Sequence, residues 1–207
     1  MEGFFKMLTM KKEKISTKAL VKIGVLGAIG FILMVFDFPL WFAPGFLKFD
    51  LSEVPALIGA FSLGPVAGIL IQLIKNILNA TIKGSSTMAV GELSNFLVGC
   101  LFVVPASAIY HRNKTFKNAV IGLIVGVIAM TIGASLSNYY VMIPFYAKLF
   151  GMSLDKIIAM GSAVNKSIVD FKSLIIYAII PFNLLKGVIA SLVTILLYKR
   201  ISPILKK

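Results

Sequence analysis

Acidic residues are scarce in this chain: eight Asp and Glu stand against twenty-one Lys and Arg in 207 residues, with one histidine and one cysteine. A single cysteine, Cys100 in an apolar run, excludes a disulfide framework within the chain and leaves redox chemistry without a resolving thiol. His111, with no H-E-x-x-H and no Cys/His cluster, excludes the usual zinc sites, and no metal site is expected. A Ser-His triad would have to recruit that same histidine, which the apolar runs place in a solvated inner loop, far from the outward polar residues described below. No G-x-x-x-x-G-K-[ST] phosphate loop occurs, so any drive from ATP must come from other proteins. Internal repeats and low-complexity tracts are also absent. Charged residues make up only 14% of the sequence and hydrophobic ones 58%, too few charges for the surface of a soluble domain of this size. The net charge of +13 could suggest nucleic acid, but the basic residues collect beside apolar runs, and no soluble basic domain carries them. They read as topology signals, and no nucleic-acid partner is expected.

What is present is a series of long apolar runs, at 19–41, 54–63, 65–82, 90–110, 119–143 and 174–198. They predict an all-α integral membrane protein, one transmembrane domain over 1–207 with six helices, the second of them short. Gly64-Pro65 predicts a tight turn that makes a hairpin of the second and third runs. The first run is too long for a signal-peptide core and is not followed by a cleavage pattern, so it reads as a true span. With the basic segment 1–18 inside, the inner segments 1–18, 111–118 and 199–207 hold twelve Lys and Arg and the outer segments six. That asymmetry predicts both termini in the cytoplasm. The segment 42–52 carries apolar residues between turn formers and should fold back over something. The segment 147–173 predicts an interfacial helix capped by Ser153, with Leu154, Ile157, Ile158 and Val164 roughly on one face.

Polar residues inside the runs are the candidates for function. Lys186 falls near the middle of the last run, where a charge costs roughly 2.5 kcal/mol or more on insertion scales and is kept where it faces protein or a polar cavity. Three runs carry polar pairs at i, i+3, each on one helix face: Glu92 and Asn95, Ser135 and Asn138, Asn183 and Lys186. In the predicted topology these pairs lie between the outer surface and mid-depth and could line one cavity. The alternative is that the amides join helices and that Lys186 pairs with Glu92. Lys75, with Gln72, Asn76 and Asn79 around it, is a second buried charge, either a site or an ion pair with Asp50 or Glu53. Gly24 and Ala28, four apart with Gly27 and Gly30 beside them, allow another helix to approach, either a partner subunit or a helix of the same chain. The remaining carboxylates fall outside mid-depth, which weighs against the competing class, an ion-coupled secondary transporter of a small solute.

Several blocks in order carry a family resemblance: Phe49-Asp50-Leu51-Ser52-Glu53-Val54-Pro55, Gly64-Pro65-Val66-Ala67-Gly68, Lys75-Asn76-Ile77-Leu78-Asn79, Gly91-Glu92-Leu93-Ser94-Asn95-Phe96-Leu97, Leu136-Ser137-Asn138-Tyr139-Tyr140 with Pro144, and Ile180-Pro181-Phe182-Asn183-Leu184-Leu185-Lys186-Gly187. Over nearly its whole length the chain resembles the riboflavin-specific substrate-binding subunits, or S components, of energy-coupling factor (ECF) transporters. The resemblance implies a six-helix protein of the bacterial plasma membrane, not an enzyme, that captures riboflavin as cargo rather than as a cofactor. It also implies docking on a transmembrane coupling subunit that carries two cytoplasmic ATPases, and tipping in the bilayer to release the cargo. By the same resemblance Asn138, Lys186, Asn95 and Asn183 would supply polar contacts to the flavin, with Glu92 beside them, and Leu47 and Phe49 would cover it. The small face of the first helix, Gly24 and Ala28, would meet the coupling subunit; the family more often has alanine at the first of these places.

Overall fold

The computed structural model describes residues 16–206 apart from Ser86, with side chains as far as Tyr198. The basic segment expected at 1–18 therefore lies, up to residue 15, outside the described residues, as do the side chains of Lys199, Arg200, Lys206 and Lys207.

Apolar composition and local capping fix the elements. Helix α1, Thr17–Val35, starts where the Ser16 side chain accepts the Ala19 N–H, leaving one fewer unsatisfied donor at the helix start. It ends six residues earlier than predicted. Beyond it Phe38–Pro39 (β1) pairs antiparallel with Lys48–Phe49 (β2), and Pro39 disfavours helical geometry in the residue before it. Helix α2 is Glu53–Leu63 and α3 is Pro65–Leu78, extended by a π-helical turn over Asn79–Lys83. Gly64 between them has φ 107°, open to glycine at little cost, and Pro65 fills the first helical position, where no N–H is needed. Helix α4 is Val90–Arg112. Helix α5, Phe116–Ser137, passes through a π turn, Asn138–Met142, into α6, Ile143–Leu149. Helix α7, Leu154–Ser162, begins after Ser153, whose side chain accepts the Lys156 N–H. On its predicted face Ile157 is buried, while Leu154 and Val164 are exposed.

The last helix starts earlier than its apolar run. Asp170 accepts the Ser173 N–H at 2.7 Å and the Ser173 hydroxyl accepts the Asp170 N–H at 2.8 Å, a reciprocal cap that opens α8, Phe171–Leu174. These bonds hold the Asp170 carboxyl below the ordinary carboxylate range. A π turn, Ile175–Ile179, leads on into α9, Ile180–Lys206.

Among the described residues, five helices are long and apolar enough to cross a membrane. They form a chain of neighbours: α1 packs on α3, α3 on α4, α4 on α5, and α5 on α9. Helix α2 closes the arrangement, touching α1, α3, α4 and α9. Its residues from Glu53 to Phe61 are all buried, which is why it is apolar on every side apart from Glu53 at its start and Ser62 at its end. At 11 residues it is about 16 Å long, roughly half of the ~30 Å hydrocarbon core.

Helices α4 and α5 approach closely because Gly122 and Gly126 face the carbonyls of Ala106 and Phe102, and a side chain at either would meet backbone. At the end of the bundle away from the β ribbon, the Tyr110 and Tyr198 hydroxyls lie 3.0 Å apart. The Tyr198 hydroxyl donates to the Phe61 carbonyl at 3.4 Å, and His111 Nε2 meets the Ala60 carbonyl at 3.1 Å. His111 thus lies in the last turn of α4 and caps α2, where the sequence suggests a solvated loop.

Candidate functional site

Asp50, Ser52 and Glu53 lead into α2, and each is tied to a long helix or to its neighbour. The Glu53 carboxylate accepts from Lys75 Nζ at 2.7 Å, and its second oxygen takes the Gln72 amide. Lys75 also donates to the Ser52 hydroxyl at 2.9 Å. Asp50 Oδ1 accepts the Ser52 N–H at 2.8 Å, and Oδ2 accepts from Lys186 Nζ at 2.8 Å. All four charged groups are buried, Lys75 completely and Lys186 to 8% exposure. Two buried ion pairs therefore pin this segment, one to α3 and one to α9. Both lysines sit well inside their helices, so the segment descends into the bundle. Asp50 and Glu53, expected from the apolar runs near the outer surface, are thus buried among the helices.

That corrects one expectation about partners and decides another. Lys186 pairs with Asp50, while Glu92 lies apart, taking hydrogen bonds from Ser85 at 2.8 Å, Thr87 at 3.3 Å and Asn79 at 3.4 Å. Lys75 has the ion pair left open for it, with Glu53.

Beside Lys186 is a cavity of about 200 Å³. It is bordered by Asn95 from α4, Asn138 from the π turn after α5, and Asn183 and Lys186 from α9, with Leu47 from the first loop. Val98, Met130, Ala134, Met142 and Phe182 supply apolar wall. Of the predicted site residues, Glu92 and Phe49 do not border it. Phe49 is buried with Ala43 and Phe182 in a small cluster that seats the first loop on α9. Residues the sequence reading missed include Phe46, Ser94, Tyr146 and Glu53 on the wall, and Asp50 behind Lys186.

The polar groups on the wall are held in place by their own helices. Asn138 Nδ2 donates to the Ala134 carbonyl and Asn183 Nδ2 to the Ile179 carbonyl, both at 2.8 Å. Asn95 Nδ2 donates to Asn76 Oδ1 at 3.1 Å. Each side-chain oxygen is left without a protein donor among the described residues. Lys186 spends one of its three donors, on Asp50. The wall thus offers an ammonium with donors to spare and three amide oxygens, on an otherwise largely apolar surface. That combination orients a ligand that is mostly apolar with one edge of mixed donors and acceptors. The described residues hold no group of three or more His, Cys, Asp or Glu that could bind a metal.

The two π turns that position these residues share a cause. Pro144 and Pro181 each follow a π turn by two residues, and each lacks the N–H that would bond the carbonyl four residues back. Widening of the preceding turn accommodates the proline. Asn138 opens the first of these turns, and Asn183 lies two residues past Pro181.

Gly24 and Ala28 lie on α1, away from the cavity. A Cβ at Gly24 would meet nothing within 4 Å, whereas one at Gly27 would lie 2.5 Å from Ile74 Cγ2, and one at Gly30 3.5 Å from Lys75. The three glycines thus divide, Gly27 and Gly30 packing on α3 and Gly24 facing open space.

A family model described as the substrate-specific component of ECF transporters matches residues 18–198. The riboflavin transporter RibU of Staphylococcus aureus (strain TCH60) is 40% identical over 92% of this chain and 93% of that protein. The riboflavin transporter FmnP of Bacillus subtilis (strain 168) is 34% identical over 90% of this chain and 93% of its own. A solved structure described as the S component of a bacterial ECF transporter superposes with a TM-score of 0.70 at 38% identity, covering 92% of this chain and 98% of that one.

Proposed function

The chain belongs to the substrate-specific components of ECF transporters, and we propose that riboflavin is the substrate it captures. Its relatives are transporters and not enzymes, and with five long apolar helices it is a multi-pass protein of the bacterial cell membrane. The observation that carries the ligand assignment is the spare donor capacity of Lys186 set among the amide oxygens of Asn95, Asn138 and Asn183. The flavin ring is an apolar plate with an imide N–H between two carbonyls at one edge, and its ribityl chain adds hydroxyls. Lys186 donates to a ring carbonyl or a ribityl oxygen, and the asparagines accept from the imide or the hydroxyls. Riboflavin is cargo here and leaves unchanged.

At about 200 Å³ the cavity falls below the ~300 Å³ at which pockets for drug-sized ligands begin. Entry of a flavin therefore moves the first loop, whose Phe46 and Leu47 stand at the wall. In this reading both termini are cytoplasmic, α2 completes a half-depth descent begun by the first loop, and the cavity faces outward. A coupling subunit docks on the Gly24 and Ala28 side of α1, and two ATPases attached to it drive release.

The experiment is a titration of purified protein with riboflavin, followed by quenching of flavin fluorescence. Lys186→Ala and Asn138→Ala are each expected to weaken binding by at least about tenfold, the worth of one good charged or buried hydrogen bond. Wild-type affinity in both variants would remove the site assignment. Uptake by the protein alone in proteoliposomes under an ion gradient would instead support secondary transport.

A further inference from the structure

Every charge at or behind the cavity is answered by one of opposite sign. Lys186 is answered by Asp50 at 2.8 Å, Glu53 by Lys75 at 2.7 Å, and Lys48 on the rim by Asp37 at 3.3 Å, which also takes Lys83 at 2.9 Å. In a chain of net charge +13, the buried wall is thus electrically balanced. For Lys186 the balance depends on one carboxylate. Both Glu53 oxygens are occupied by Lys75 and Gln72, and Glu92 is engaged by Ser85, Thr87 and Asn79. Asp50 itself does not border the cavity. Its Oδ1 is fixed by the Ser52 N–H, so its Oδ2 is aimed at the lysine by the turn that begins α2.

We propose that Asp50 determines the charge preference of the site: as the one carboxylate paired with Lys186 among the described residues, it makes the cavity take neutral flavin in preference to anionic flavin without touching the ligand. An ammonium buried without a counter-ion draws an anion strongly, because charge-assisted contacts gain strength where water is excluded. Paired with Asp50, the same ammonium offers hydrogen bonds but no net charge. A flavin can be anionic at either end, by phosphorylation of the ribityl chain or by loss of the imide proton from the ring edge in alkali. The wall also presents Glu53 and Lys48, but both keep their partners whatever stands at residue 50. The inference rests on the reading of the cavity as a riboflavin site.

The test uses purified protein in detergent and two probes that place negative charge at opposite ends of one molecule. Riboflavin 5′-phosphate is titrated against riboflavin at neutral pH, and ionisation of the imide of bound riboflavin is followed by absorbance as pH is raised. In Asp50→Asn, bound riboflavin should ionise about 1–3 pH units lower than in wild type, the usual effect of an opposite charge at close range. If Lys186 faces the ribityl end, affinity for the phosphate relative to riboflavin should instead rise at least about tenfold. Lys186→Gln, which leaves Asp50 unbalanced, should move the same readings the opposite way. The double variant Asp50→Asn with Lys186→Gln, free of both charges, should fall between them. Should Asp50→Asn fail to fold, the shift between wild type and Lys186→Gln decides. Unchanged ionisation and an unchanged affinity ratio across the variants that fold overturn the inference. Failure of wild type to bind riboflavin at all is a different result, which overturns the ligand reading beneath it.

Discussion

The two buried lysines show how alike two residues can be in sequence and how differently they serve. Lys75 has two of its three donors taken, by Glu53 and Ser52, and no exposure, so it is structural. Lys75→Met leaves Glu53 as an uncompensated buried charge and is expected to cost about 3–5 kcal/mol. Thermal unfolding in detergent would show it, and Glu53→Gln in the same chain should recover part of the loss. An unchanged melting temperature in the single variant would deny the pair its structural role. Lys186 keeps donors in reserve, and its loss should appear first in binding. From sequence both are simply costly charges in apolar runs; what separates them is the number of protein partners, which only the packing reveals. The asparagines were legible because an amide stands out in such a run. Asp50 was not legible as the partner of Lys186, because no spacing rule links residues so far apart, and Glu92 was the nearer guess by depth. Phe49 had the right loop and the wrong face: β pairing with Phe38 turns it away from the cavity.

At the scale of elements, apolar length gave the existence of each long helix but not its ends. The first stops early because a β ribbon competes for its last residues, and the fifth and last run longer because π turns and a reciprocal cap carry them past their apolar stretches. Pro181 stands in plain view in the last apolar run, but the π turn before it does not. Pro181→Ala restores a donor for the Tyr177 carbonyl, and closure of that turn would change the register of 171–179 against Asn183. The expected outcome is riboflavin binding weakened severalfold with thermal stability retained, since a helix-interior proline is itself unfavourable by about 3 kcal/mol. Unaltered affinity would show that the turn does not position the amide. The glycine pair Gly122 and Gly126 was a signal available in the sequence, four apart as close helix contacts require, and it marks the α4–α5 contact.

For the whole molecule, the apolar runs announced a membrane protein, while the placement of α2 among four neighbours depended on contacts no run discloses. The open side of α1 is where the reading of function reaches beyond this chain. Gly24→Trp and Ala28→Trp place bulk on that side, and at Gly24 the added side chain starts from free space. Both should leave riboflavin titrations at the wild-type value while abolishing co-purification with the coupling subunit. Retained co-purification would move the docking face elsewhere.

The two buried ion pairs also differ in when they can close. Glu53 and Lys75 lie 22 residues apart and Asp50 and Lys186 lie 136 apart. As the chain emerges from the ribosome, the first pair is complete once the third helix has been made. The second must wait for the last, since its two residues are separated by about two thirds of the chain. The ligand site is thus a late product of biogenesis, and a chain interrupted before its final helix would hold a largely assembled scaffold with no Lys186 to receive its cargo.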